Sequence, residues 1–144
     1  MDIDKLIEFA SKKHEGQVDK GGNPYIVHPI NVMLSLKTMD EKIVGLFHDI
    51  LEDTDTTIEE LKELGLTDEQ ILAIDILTRK KDQSYNEYID EVASDPLTIN
   101  VKIADLLDNM DLSRIEYPTE EDYKRLQKYI KTFGKLVKIK ISKI

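Results

Sequence analysis

The segment His48-Asp49-Ile50-Leu51-Glu52-Asp53-Thr54 holds the side chains of this sequence best suited to chemistry. Glu52 follows His48 by four residues and Asp49 by three, and Asp53 follows Asp49 by four, so on a helix all four project from one side. Three carboxylates then stand beside one imidazole at the end of an apolar run from Ile43 to Leu51. Such clustering costs folding energy through mutual repulsion unless a cation neutralises it. The plainer reading is an acidic helix end fraying into solvent. Asp105 is flanked by Ile103, Ala104, Leu106 and Leu107, with Asn109 one turn later on its face. Burying that carboxylate unpaired is expensive, so it wants a metal ion, a lysine or a helix end to cap. His28 directly precedes Pro29, which suits a ligand or an ordinary turn histidine. Two imidazoles and two carboxylates suit Mn²⁺, Fe²⁺ or Zn²⁺ better than Ca²⁺. With no cysteine in the chain, thiolate sites, disulfides and cysteine nucleophiles are excluded.

These residues come from three separate segments, so a scaffold must bring them together. The chain reads as a succession of helices. Ile3, Ile7, Ala10 and His14 recur at helical spacing, with Asp2 or Asp4 as cap. After the turn-rich Gly21–Tyr25, Pro29 suits a first helical turn, continued by Ile30, Met33 and Leu34. A third helix is expected from about Glu41 to Asp53, with Ile43, Phe47 and Ile50 on one face. Thr57 with Glu60, Thr67 with Gln70 and Ser84 with Glu87 have capping-box spacing, and Asp95-Pro96 opens a long helix through Met110. A last helix begins near Thr119 and carries Tyr123, Leu126, Ile130 and Phe133 inward. Val137, Ile139 and Ile141 alternate like a strand, but a lone strand is not stable, so the tail reads as frayed helix or an ordered tail. The expectation is a single all-α domain over residues 1–144, without repeats or linkers.

Charge narrows the partners. The chain carries a net charge of −9, which disfavours broad nucleic-acid binding. Its 29 acidic residues all precede Lys124, and eight Lys/Arg follow from there to the end. Those cations favour the C-terminal dipole of their own helix, or one or two of them face a phosphate. The opening MDIDKLIEF lacks the basic and apolar regions of a signal peptide, and no apolar run approaches the ~18 residues of a membrane span. The expected compartment is the cytoplasm.

Read together, Lys13-His14-Glu15-Gly16-Gln17, Gly22-Asn23-Pro24-Tyr25-Ile26-Val27-His28-Pro29, His48 to Thr54, and Val101-Lys102-Ile103-Ala104-Asp105 with Asn109-Met110 resemble the HD-type hydrolase domain of the RelA/SpoT alarmone enzymes. The likeness is greatest to the stand-alone small alarmone hydrolases. It covers roughly residues 1–130, with the blocks in the family's order. The resemblance implies that His28, His48, Asp49 and Asp105 hold one divalent ion, usually Mn²⁺, and that Glu52 and Asp53 orient or activate the attacking water. It places Asn109 near the substrate's sugar and matches Arg125 to a substrate-contacting arginine. It also implies hydrolysis of guanosine 3′,5′-bis(diphosphate) at the 3′ position, giving GDP and pyrophosphate. His14 and Gln17 match too, and His14 is either a hydrogen-bonding support for the site or a satisfied core histidine. The chain departs from the pattern at Asp19, Leu106, Asp108 and Asp111, where the family is often basic or aromatic. Cations to meet two diphosphates are then sought in Lys20, Lys80, Lys81 and Arg125. The competing readings are an HD phosphohydrolase for another nucleotide or phosphate ester, and a non-catalytic module that senses an alarmone.

Overall fold

A computed structural model describes residues 2–143 as helices α1 (Ile3–Lys13), α2 (Val27–Ser35), α3 (Met39–Phe47), α4 (Ile50–Asp53), α5 (Ile58–Glu63), α6 (Asp68–Ile76), α7 (Tyr85–Val92), α8 (Pro96–Asn109) and α9 (Glu120–Ser142), with a 3₁₀ turn at Leu112–Arg114. Among these residues the only β pairing is a single bridge between Val18 and Pro24, which pinches the loop after α1. The fold is all-α, as the periodicity predicts.

Local chemistry explains where most helices start. Asp2 caps α1, Asp95 caps α8 with Pro96 in its first turn, and Thr57, Thr67 and Ser84 each form the expected capping box. Two further boxes, Thr38 with Glu41 and Thr119 with Asp122, open α3 and α9. A box of this kind satisfies two otherwise orphaned N–H groups, each cap being worth about 1 kcal/mol.

Helix α3 is the axis of the molecule. It buries every residue from Ile43 to Phe47 and packs against α1, α2, α6 and α8. One connected core joins Leu6 and Ala10 of α1, Val32 of α2, Phe47 of α3, Ile74 of α6 and Leu106 of α8. Gly45 lets α2 and α3 approach closely, since a Cβ there would stand 2.8 Å from Leu36 Cδ1 and 3.1 Å from Val32 Cγ1. Phe47 is completely buried, so truncating it to Ala should cost about 3–5 kcal/mol.

Two expectations need correction. The third helix does not run unbroken to Asp53. It ends at Phe47, with Asp49 at φ −118°, ψ 6°, before α4 resumes the turn. The cause is local: the His48 N–H and its ring Nδ1 both donate to the Gly45 carbonyl, drawing the last turn tight. In α9, Tyr123 and Ile130 point outward, 51% and 53% exposed, while Thr132 and Leu136 are buried with Phe133 packed beside them. The Val137–Ile141 tail, expected as frayed helix or an ordered tail rather than a strand, is the continuous end of α9, with Ile139 against the core and Ile141 in solvent. Among the described residues no helix is long and apolar enough to cross a membrane.

Candidate metal centre

The core helices deliver four polar side chains to one point. His28 comes from the first turn of α2, His48 and Asp49 from the break between α3 and α4, and Asp105 from α8. All four are buried. Ligand atoms of His28, His48 and Asp49 lie within 4.8 Å of one another. Asp105 Oδ1 joins the two imidazoles, 2.8 Å from His28 Nε2 and 3.2 Å from His48 Nε2. The donor set fits a divalent metal, and a second observation points the same way. Asp49 Oδ1 is buried without a hydrogen-bond partner, 3.6 Å from the equally unpartnered Nε2 of His14. Its other oxygen accepts from the Tyr25 hydroxyl. An unpaired buried carboxylate oxygen beside two imidazoles leaves a place for a cation.

The electrostatics of this cluster are tense. Burial opposes charge on His28, but Asp105 and Asp108 prevail and raise its imidazole to about 10. Burial opposes charge on His48 as well, and Asp49 and Asp105 raise it. For Asp105, burial favours protonation, yet Lys102 and the two histidines hold it well below the usual carboxylate range. Lys102 Nζ lies 2.7 Å from Asp105 Oδ2 and 5.4 Å from the Tyr88 ring centroid. Glu52 is pushed up by partial burial and by Asp53, and Asp53 by partial burial and by Asp49. A carboxylate raised in this way is the better proton acceptor near neutral pH.

The centre opens into two cavities that share Tyr25, His28, Asn109 and Tyr129. One, of about 300 Å³, holds His48, Asp49, Glu52, Asp53 and Asp105 with Arg79, Lys102 and Lys128. The other, of about 340 Å³, holds Asp19, Lys20, Arg114, Asp122 and Arg125.

No family model matches the chain. The chain is 42% identical over 120 residues to a guanosine-3′,5′-bis(diphosphate) 3′-pyrophosphohydrolase of Aquifex aeolicus, covering 76% of this chain and 17% of that protein. It is 38% identical over 123 residues to the protein of the same name from Spiroplasma citri, covering 76% and 16%. The chain therefore spans about a sixth of the length of these curated relatives. A solved structure of a metazoan SpoT ortholog, described as hydrolysing ppGpp with a role in starvation responses, matches with a TM-score of 0.75 and 26% identity over 94% of this chain and 83% of that one. In sequence and in fold the chain resembles the HD-type hydrolase domains of the RelA/SpoT family.

Against the family pattern, the departures acquire a structural meaning. Asp108 does not face the cavity as a bare charge. Its carboxylate accepts from His28 Nδ1 at 2.6 Å and from Asn31 and both terminal nitrogens of Arg114 at 3.0–3.2 Å. Burial favours protonating Asp108, but His28 and Arg114 lower it to about 2. Asp19 spends Oδ1 on the N–H groups of Gly21 and Asn23 and turns Oδ2 toward Arg114 Nε at 3.5 Å. Asp111 caps the 3₁₀ turn through Ser113 N.

Of the expected cations, Lys20 and Arg125 line the second cavity, where Arg125 pairs with Asp122. Lys80 instead folds back on the end of α6, donating to the Asp75 and Thr78 carbonyls. Its neighbour Arg79 is the one that lines the first cavity. Asn109 donates to Asp105 Oδ1 at 3.0 Å, so it steadies that carboxylate while also lining both cavities. His14 takes the supporting position: Nδ1 pairs with Gln17 Oε1 at 2.8 Å, and Gln17 Nε2 donates to the Asp53 carbonyl. Arg114, Lys102, Arg79 and Lys128 escaped the sequence reading. Only Lys102 carried a local signal, three residues before Asp105 on one helix face.

Proposed function

We propose that this chain is a metal-dependent phosphohydrolase that cleaves guanosine 3′,5′-bis(diphosphate) at the 3′ position, giving GDP and pyrophosphate. The observation that carries it is the buried His28, His48 and Asp49 cluster opening into the same cavity as Glu52 and Asp53. His28, His48, Asp49 and Asp105 would hold one ion, Mn²⁺ before Fe²⁺ or Zn²⁺. That ion supplies polarisation of a phosphate oxygen and a lowered pKa for water. Glu52, with Asp53 beside it, accepts the proton of the attacking water, its raised pKa matching that task. Water oxygen bonds to the phosphorus, the bond from phosphorus to the ribose 3′ oxygen breaks, and that oxygen gains the proton that water lost. Asn109, Lys20 and Arg125 hold the substrate. Residues 1–144 act as one domain in the cytoplasm on a small nucleotide, with neither nucleic acid nor membrane as partner.

A second reading has its own observation. Arg114 is already taken by Asp108 and Asp19, so the second cavity offers fewer free cations than two diphosphates ask for. The same centre would then act on another nucleotide or phosphate ester. Chromatography of products from guanosine tetraphosphate and ordinary nucleotides, with Mn²⁺ and with chelator, separates the two. The first reading requires GDP and pyrophosphate with Mn²⁺ and nothing with chelator. An untouched tetraphosphate beside another cleaved nucleotide leaves only the second. Asp105→Ala should lose bound metal while keeping its helicity, and full metal content by elemental analysis would remove the ligand assignment.

A further inference from the structure

The two histidines of the centre are held by different partners. His48 Nδ1 donates to the backbone carbonyl of Gly45 at 2.7 Å, a contact that no side-chain substitution elsewhere can remove. His28 Nδ1 donates to a side chain, Asp108 Oδ2, at 2.6 Å. Each contact leaves Nε2 turned toward Asp105, the side on which Asp49 also lies. A ring whose Nδ1–H is spoken for keeps Nε2 for a metal and cannot rotate away from it.

Asp108 is itself fixed. Arg114 grips both of its oxygens, NH1 to Oδ1 at 3.2 Å and NH2 to Oδ2 at 3.0 Å, and Asn31 donates to Oδ1 at 3.2 Å. Arg114 is fixed in turn. Its backbone carbonyl lies so close to Gly21 that a Cβ there would come within 1.9 Å of it, and its Nε faces Asp19 Oδ2. A planar guanidinium held at both ends offers a carboxylate one orientation.

We propose that Asp108, oriented by Arg114, is a positioning residue for His28: it sets the ring's tautomer and angle and thereby the affinity of the centre for its metal. This rests on the metal centre of the proposed function. It also gives the departure at Asp108 a role other than repelling substrate.

The test is titration calorimetry of Mn²⁺ into the metal-stripped 144-residue chain, with thermal unfolding of the metal-free forms alongside. Asp108→Asn keeps the shape and removes the charge, and should weaken Mn²⁺ binding about 10–100-fold. Arg114→Ala discriminates by sign. Deleting a nearby cation strengthens binding of another cation through the field alone, whereas freeing Asp108 weakens it. The expected result is weakening of at least about threefold, partly restored in Arg114→Lys. Arg125→Ala removes an equal charge from the same cavity without touching Asp108, and should not weaken Mn²⁺ binding. Nitrogen-15 spectra of the Mn²⁺-free, Zn²⁺-loaded protein should show the His28 Nδ1 proton retained in wild type and exchange-broadened in Asp108→Asn.

Wild type that binds Mn²⁺ while Asp108→Asn binds it equally well overturns this inference and leaves the metal centre standing. Tighter binding in Arg114→Ala overturns the part given to Arg114. Lowered thermal stability of the metal-free variants with unchanged Mn²⁺ affinity assigns both residues to the scaffold and overturns the proposal. Wild type that binds no Mn²⁺ overturns the centre and this inference together.

Discussion

On either side of the wall formed by Tyr25, His28, Asn109 and Tyr129, the molecule handles charge in opposite ways. On the α3–α4 side, Asp49, Glu52 and Asp53 crowd together, and one oxygen of Asp49 has no partner at all. On the loop side, nearly every charge is already matched: Arg114 with Asp108 and Asp19, Arg125 with Asp122. The first side stores repulsion that an incoming cation relieves. The second side is largely satisfied as it stands, so for Arg114 or Arg125 to hold a phosphate it must exchange places with a carboxylate, and Lys20 is left to meet one directly. Two aspartates three residues apart on α8, Asp105 buried and Asp108 half-buried, make the same contrast within one helix. Asp105 looks to the centre and Asp108 looks to Arg114.

The comparison breaks most visibly at Glu52. If the unmatched carboxylates do the chemistry, Glu52→Gln should lower turnover by roughly 10²–10⁴ while metal affinity stays nearly constant. Steady-state rates within a few-fold of wild type would pass the role of base to Asp53. The next largest effect is expected at Lys102, the half-buried cation that meets Asp105 on the acidic side. Burial works against its charge, but Asp105 holds its pKa above the ordinary range. Lys102→Met should destabilise the metal-free protein by about 3 kcal/mol, since the partner carboxylate is left buried. Saturating Mn²⁺ should recover much of that loss, because the ion meets the same carboxylate. Denaturant unfolding with and without Mn²⁺ measures both, and an equal loss in the two conditions would separate Lys102 from the centre.

How much of this was legible in the sequence divides along the same wall. The helices announce themselves through local rules, and the boxes at Thr57, Thr67 and Ser84 need only four residues each. The acidic side was legible for a similar reason: His48, Asp49, Glu52 and Asp53 lie within six residues, and a buried Asp105 among apolar neighbours signals its own cost. Physical reading of the residues named them without showing that they meet; the family resemblance supplied the convergence. The loop side was opaque. Asp108 meets His28 across 80 residues and Arg114 meets Asp19 across 95, and no periodicity encodes such pairs. Counting charges there led the reading astray, because a carboxylate tied to a guanidinium contributes little net field. The break at His48 was missed for a different reason. It depends on a ring nitrogen reaching the Gly45 carbonyl, a competition between side chain and helix that composition does not display.

The smallest expected effect probes the satisfied side directly. Arg125 stands at the rim of the loop-side cavity, its side chain 37% exposed and paired with Asp122, which also caps α9. To grip a phosphate it must leave Asp122 Oδ1, while the Thr119 N–H and hydroxyl continue to hold Oδ2. A guanidinium keeps its charge at every accessible pH and can hold two phosphate oxygens at once. Arg125→Ala should therefore raise KM for guanosine tetraphosphate about tenfold, roughly 1.4 kcal/mol of lost binding, with a smaller change in kcat. Lys138→Ala, far along the exposed face of α9, removes the same charge from the same helix and should change neither constant. If the two variants shift KM alike, α9 acts through its field alone. If Asp122→Ala lowers KM instead, by freeing Arg125 in advance, partner exchange on the satisfied side limits how tightly the nucleotide is held.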